Sequence, residues 1–506
     1  MKWLGYLLGA IVVIALGLFI FVKVYVGAVN VPLGESEADD QTLRAQLIVP
    51  EGFSLSLYGK VTNARVLRFS RGGHLLVANP NNGQITILEP DADGDGAADG
   101  SRVLIDELNG PNGIDFYEGW LYIAETDAIG RVRFDHETGS LTSDYERLVT
   151  GLPPGENHWK KTLRFGPDNM MYVTMGSSCN ACIEVDKRRA AMVRYAPDGT
   201  GEELFAEGLR NSAGFDWSPA DGEIYATDNG RDMLGDDFPP CELNLVQEGQ
   251  HYGWPYANGA KIPDPDFGAG NEAIIERSIG SAFDFNAHNA PLGMEFVRGD
   301  VFPAEYKNAA IVALHGSWNR SKKDGYKVVS LHWDESGNIT SKDFLTGFLK
   351  DDVTVGRPAE VTQGPDGAFY VADDYANVVY RVAYGEPSMT QNYAVTGVAA
   401  PTFNAEETLA HLDAAARSVA ESAGEVIYNQ YQCVGCHADN NNALKRLESL
   451  GQKYDVAGLA AYFKRPVAPM PVFPMSDQQR ENLAVYMLSR YPGEVTGKVT
   501  GKETGS

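Results

Sequence analysis

The chain has 506 residues, 43% hydrophobic and 10% aromatic, enough for more than one domain and a large buried core. Its 68 Asp and Glu against 42 Lys and Arg give a formal net charge of −26, which argues against nucleic acid and anionic lipid as partners.

Trp3 to Val22 is an uncharged apolar run of twenty residues, long enough to span a bilayer and longer than the core of a signal peptide. Lys2 precedes it and Glu35, Glu37, Asp39 and Asp40 follow. Residues 1–29 therefore read as an uncleaved single-pass inner-membrane anchor, with the bulk of the chain in the periplasm. Residues 30–50, acidic and poor in aromatics, read as a tether.

From 51 to 385 one unit recurs: a turn rich in Gly, Asp or Asn, a short β-branched and aromatic strand, a polar loop and another strand. Copies begin at Gly73, Gly119, Asn169, Gly222, Asn308 and Gly367. Repeated strand–turn units with no helical periodicity between them predict a mainly β fold, a six-bladed β-propeller. In such a fold the ligand site lies on the axis, where loops of several blades converge. Within the first unit, Asp91, Asp93, Asp95 and Asp99 resemble the start of a calcium loop. Arg102 stands where its bidentate Glu belongs, so a solvated turn is the reading.

Residues 386–404 form a linker, and 405–492 switch to helical spacing. The first predicted helix runs from Ala405 to Gln430, with Leu409, Leu412, Ala416 and Val419 on one face. A second starts near Asp455, and a third at Ser476, where Ser-x-x-Gln is a capping box. Residues 493–506 read as a disordered tail.

Five cysteines occur. Cys433 and Cys436 with His437 make C-x-x-C-H, the attachment signature of c-type haem: two thioethers to the porphyrin and an imidazole on the iron. Pro-flanked Met470 is the expected sixth ligand, Met475 and Met487 reading as packing. Cys179 and Cys182 fit an exported disulfide, a metal half-site or a redox pair, with structural disulfide preferred. Cys241 is then left over.

Four stretches of the repeat region carry more polar and charged residues than loops need. They surround His158, Arg210–Asn211, residues 228–256, and His315 to Arg320 with Arg357. Such a cluster suits an anionic cofactor and a general base.

The motifs G-L-P-x-x-x-x-H-W, G-L-R-N, N-G-R-D-x-L-G-D-D-x-P-P-x-E-L-N, H-Y-G-W-P, H-N-A-P-L-G and H-G-S-W-N-R resemble the glucose/sorbosone dehydrogenase family. Its members are six-bladed quinoproteins that use pyrroloquinoline quinone (PQQ) and calcium. Residues 405–491 separately resemble a class I monohaem cytochrome c, the fused arrangement of a quinohaemoprotein. The resemblance implies that His158 is the general base and that Arg210, with Asn211, lies at the quinone. It further implies that Gly230 and Arg231 offer backbone carbonyls to calcium and that Arg357 holds a PQQ carboxylate. Three departures follow. Cys241 stands where relatives carry a carboxylate, leaving Asp236 or Asp237 to orient His158. The PQQ-contacting lysine falls in a region of different length, with Arg320 or Lys327 to replace it. The relatives' glutamine aligns near Pro111–Asn112.

The expected function is a membrane-anchored periplasmic dehydrogenase. It would oxidise a sugar, sugar aldehyde or polyol at PQQ and pass electrons to its own haem c. A soluble cytochrome or the respiratory chain would accept them. The alternative is a non-catalytic propeller that binds a ligand and carries an electron-shuttle cytochrome.

Overall fold

The computed structural model describes residues 30, 35–36, 38–155, 157–385, 408–410, 412–431, 433, 437, 447, 450–464 and 473–492. The chain divides into two compact units near Gly397. Among the described residues no helix is long and apolar enough to cross a membrane. The expected anchor, linker and tail lie outside the described residues, as do Cys436 and Met470.

The first unit has six blades, as the repeats predict, antiparallel except where Gln250–His251 adds a parallel edge to the third. The innermost strands are Val66–Phe69, Gly113–Tyr117, Lys161–Phe165, Phe215–Trp217, Pro291–Phe296 and Pro358–Gln363. The next strand outward is fully buried in most blades, for example Leu75–Asn79, Met171–Met175, Ile224–Asp228, Ala310–Leu314 and Phe369–Asp373. Blades cover both faces of these strands, so their sequences are apolar runs without strict alternation. Ring closure mixes the two ends of the unit. Phe53–Lys60, the first strand in the chain, pairs with Val378–Tyr384 as the outer strand of the last blade.

Residues 30–50 correct the tether expectation. Asp39 caps a helix, Asp40–Gln46, through a 2.8 Å bond from the Thr42 amide. Leu43 and Leu47, one helical turn apart, are 1% and 7% exposed and join the same apolar cluster as Phe348 and Tyr380. Ile48 bridges to Thr346. Two leucines at i, i+4 bury enough apolar surface to hold an otherwise acidic segment on the propeller.

In the second unit the first helix spans Ala414–Gln430, shorter than expected because Asp413 caps it, accepting from the Ala415 and Ala416 amides. Its buried residues are Gly424, Ile427 and Tyr428, whereas Val419 is 71% exposed. The apolar stripe is therefore rotated from the expected face. Gly424 sets the packing: a Cβ there would come within 2.2 Å of the Asn482 carbonyl oxygen on the last helix. That helix is Asp477–Arg490, with Ser476 and Gln479 forming the predicted capping box. Val456–Lys464 is the helix expected near Asp455.

Candidate functional site

Each inner strand brings its first residues to one end of the propeller axis. There they surround a cavity of about 240 Å³ whose lining includes Arg65, Asn112, His158, Lys160, Asn211 and Glu360, from all blades but the fifth, which adds Leu292. Three to five residues further along the chain lies a second set of side chains. Arg68 meets Glu295 at 3.4 Å and Asp115 at 3.6 Å. Arg164 meets Glu295 at 3.3 Å and Asp216 at 3.5 Å, and Arg298 meets Asp216 at 2.8 Å. With a rise of about 3.3 Å per residue, this ionic plug sits on the order of 10 Å deeper than the cavity.

His158 adopts a left-handed backbone, φ 47°. For a residue with a Cβ this stores on the order of 1 kcal/mol and marks a site held by its surroundings. Gly176 makes room for it: a Cβ there would lie 2.4 Å from that of His158. His158 Nδ1 lies 2.9 Å from Ser177 Oγ and 3.2 Å from the Ser177 carbonyl. Ser177 Oγ itself donates to the Cys179 carbonyl at 2.8 Å. Nδ1 thus faces acceptors and carries the proton, which leaves Nε2 as the basic nitrogen. Burial, helped by the Arg210 charge, pushes His158 down to about 3, so the ring is neutral. The expectation that Asp236 or Asp237 orients His158 is corrected: Ser177 does. Asp236 accepts from the Ser321 amide and Asp237 from Arg320.

Arg210 is 3% exposed and is absent from the cavity lining. Its donors go to the Asn180 carbonyl and Oδ1, the carbonyls of Asn229 and Gly230, and Asp232 Oδ2 at 3.4 Å. With all five N–H groups engaged, it acts on the site as a fixed positive charge. Asn211, beside it, does line the cavity, its backbone N–H tied to Asp228.

The turn assigned to calcium is arranged otherwise. The Gly230 carbonyl accepts from Arg210 at 3.0 Å, so a cation already faces that oxygen. The Arg231 side chain pairs with Asp264 at 2.7 and 2.9 Å and with Asp266 at 2.8 Å. As arranged, the turn does not fit a divalent ion at the Gly230 oxygen. Two other cationic candidates point elsewhere. Arg320 donates to the Asp236 carbonyl at 2.6 Å, and Lys327 pairs with Asp343 at 2.6 Å on the adjoining outer strand. Neither joins the cavity.

Arg357 is absent from the cavity lining, its guanidinium on the carbonyls of His315 and Gly316, each at 3.3 Å, and 5.8 Å from the Tyr326 ring. Next to it His315 Nε2 meets Asp374 at 2.8 Å, and Arg65 meets the same carboxylate at 2.6 Å. Burial and the Arg357 charge push His315 down to about 3. Arg65, Lys160, Asp374 and Glu360 were not singled out from the sequence. Their only signal is position: Arg65 and Lys160 directly precede inner strands, Glu360 lies within one, and Asp374 follows the next strand outward. Asn112, near which the relatives' glutamine aligns, lines the cavity, and its side-chain amide donates to the Lys161 carbonyl at 3.0 Å.

A neutral imidazole with a bare nitrogen, an amide and several cations around one cavity fit a planar anionic quinone bearing carboxylates.

Cys179 and Cys182 form a disulfide, and Cys241 is buried outside it. In the second unit the His437 amide donates to the Cys433 carbonyl at 3.2 Å, the i to i−4 bond of a helical turn. Cys433 and His437 are thus offered from the same side of that turn, as covalent haem needs. Cys433 packs against a cluster that includes Tyr428, Phe463 and Met475, the last 6% exposed.

Comparison with known proteins agrees with this division. Residues 419–487 match the model described as cytochrome C oxidase, cbb3-type, subunit III. An uncharacterized protein of Borreliella burgdorferi is 38% identical over 292 residues, covering 55% of this chain and 76% of the relative. The aldose sugar dehydrogenase YliI of Escherichia coli is 26% identical over 312 residues, 55% of this chain and 76% of its own length. Among solved structures, the holo PQQ domain of pyranose dehydrogenase from Coprinopsis cinerea has a TM-score of 0.58 at 21% identity. It covers 67% of this chain and 97% of that one, a likeness of fold. Residues 47–401 match the model described as a domain of unknown function, DUF7133, and to that family the chain belongs.

Proposed function

We propose that this protein is a quinohaemoprotein dehydrogenase that oxidises a sugar, sugar aldehyde or polyol with PQQ and hands the electrons to its own haem c. The observation that carries this reading is His158: a neutral imidazole with a basic Nε2 in a multi-blade cavity flanked by cations. The sugar dehydrogenases among its relatives, and the C-x-x-C-H motif in the second unit, support it.

When bound, PQQ supplies the two-electron acceptor for the hydride of the alcohol carbon. His158 Nε2 takes the hydroxyl proton. Ser177 keeps the ring turned so that this nitrogen faces the cavity. Arg210 stabilises negative charge developing there as a fixed field, since its donors are committed to Asn180, Asn229, Gly230 and Asp232. Asn211 offers its side-chain amide at the cavity wall, and the Arg357 charge acts on Lys160 from outside the lining. Calcium has no assigned place in this arrangement. Placement at the outer face of the inner membrane is part of the same reading, supported by the apolar run Trp3 to Val22. A soluble cytochrome or respiratory-chain component is the expected acceptor.

The test mixes the purified full chain with PQQ, with and without calcium, and an aldose panel while haem absorbance is followed. Reduction of the haem by at least one sugar is expected. His158→Ala should abolish it, with PQQ binding retained. Haem that stays oxidised with every sugar, together with no PQQ binding, would overturn the reading and leave a non-catalytic propeller.

A further inference from the structure

Lys160 and Lys161 are neighbours with opposite fates. Lys161 opens an inner strand and is 2% exposed. Its ammonium is capped by the carbonyls of Thr126, Pro153 and Trp159. Successive side chains of an extended segment point to opposite faces, so Lys160 turns toward the axis and lines the cavity with His158 and Asn211. Among the described residues no acceptor lies within hydrogen-bond distance of its ammonium. Its one close neighbour of note is the Trp159 ring, 5.4 Å away.

The charges around Lys160 make this arrangement costly without a ligand. Arg65 and Arg357 repel it, and Asp374 is the one carboxylate acting in its favour. Asp374 is already engaged by Arg65 at 2.6 Å and His315 at 2.8 Å. Lys160 thus has one committed carboxylate in its favour against two arginines, Glu360 across the cavity being pushed up to about 7 by burial and so only partly charged. A partly desolvated surplus of positive charge at a cavity is the complement of an anion. The two residues expected to replace the relatives' lysine are spent elsewhere, Arg320 on Asp237 and Lys327 on Asp343.

We propose that Lys160 is a cofactor-binding residue that contacts a carboxylate of PQQ beside Arg65, supplying from the third blade the lysine that relatives supply from elsewhere. This rests on the reading of the cavity as a PQQ site. Burial and Arg65 push the free ammonium down to about 7, so the contact has a pH signature. Binding an anion favours the charged form. Affinity should therefore be full below pH 7 and fall as the pH rises above it. The other groups facing Lys160 are Arg65, Arg357, Asp374, His315, His158 and Glu360. Of these, Glu360, pushed up to about 7 by burial, titrates in the same window.

Equilibrium binding of PQQ to the full chain, read by quenching of tryptophan fluorescence, tests this without turnover. Wild type should bind, Lys160→Met should bind about 10- to 100-fold more weakly, and Lys160→Arg should stay within a few-fold of wild type. The fall in affinity between pH 7 and 9 should be smaller in Lys160→Met, the remainder belonging to Glu360. If wild type binds PQQ and Lys160→Met binds as well, with an unchanged pH dependence, the proposal is overturned and the cavity reading stands. If wild type binds no PQQ, the cavity reading fails and takes the proposal with it. Were Lys160→Met not to fold, Lys160→Gln and the wild-type pH titration would decide; affinity flat from pH 6 to 9 would overturn the proposal.

Discussion

Two charged layers lie along the propeller axis, and they are balanced in different ways. In the deeper layer Arg68, Arg164 and Arg298 meet Asp115, Asp216 and Glu295 at 2.8–3.9 Å, each cation shared between carboxylates. In the upper layer Arg65, Lys160 and Arg357 face Asp374, which Arg65 and His315 already occupy. The same strands build both. The difference lies in compensation: the deeper layer is matched within the protein, and the upper layer is the one we propose a ligand completes. Buried charge that is matched within the chain holds the blades together; unmatched charge at an opening is kept for something else.

Breaking the deeper layer should show the largest effect. Arg164→Met leaves Asp216 and Glu295 short of a cation in a site where Arg164 is only 13% exposed. A loss of about 3–5 kcal/mol in propeller stability is expected, measured by denaturant unfolding. A loss under about 1 kcal/mol would remove the distinction between the layers. The pH dependence of kcat/KM sharpens the upper layer. With His158 at about 3 in the free protein, the neutral base is fully present above pH 5. No acid limb near pH 6.5 is therefore expected from it, and one that vanished in a His158 variant would contradict the assigned environment. The smallest effect belongs outside both layers. Lys327 and Asp343 are 34% and 61% exposed. Lys327→Met should change stability by less than about 1 kcal/mol and leave PQQ affinity unaltered. A tenfold loss of affinity would instead return Lys327 to the cofactor site.

Local chemistry explains which expectations were legible. Pro-Asp-Gly turns and short β-branched strands set the blade count, because each unit carries its own turn and strand signals within a few residues. The Ser476–Gln479 capping box was readable for the same reason. Val419 was not: helical periodicity marks a stripe, but the partner helix, admitted at Gly424, decides which stripe is buried. Nor was the order in residues 40–47, where a sequence of mostly polar residues hides two leucines that need a propeller to pack on. His158 stood out through its motif. Its partner Ser177 did not, since nothing in a serine following a strand marks a bond to a residue 19 positions away.

By itself the sequence determined the repeat, the haem motif and the presence of a histidine and arginines among converging loops, all properties of short segments. The tertiary structure decided what those residues are worth. Closing the ring put Arg210 behind the cavity wall, with its donors spent, and brought Arg65 and Lys160 to the axis. Charge compensation is a sum over neighbours in space. Neighbours drawn from several blades, up to 309 residues apart in the case of Arg65 and Asp374, exist only once the fold has formed.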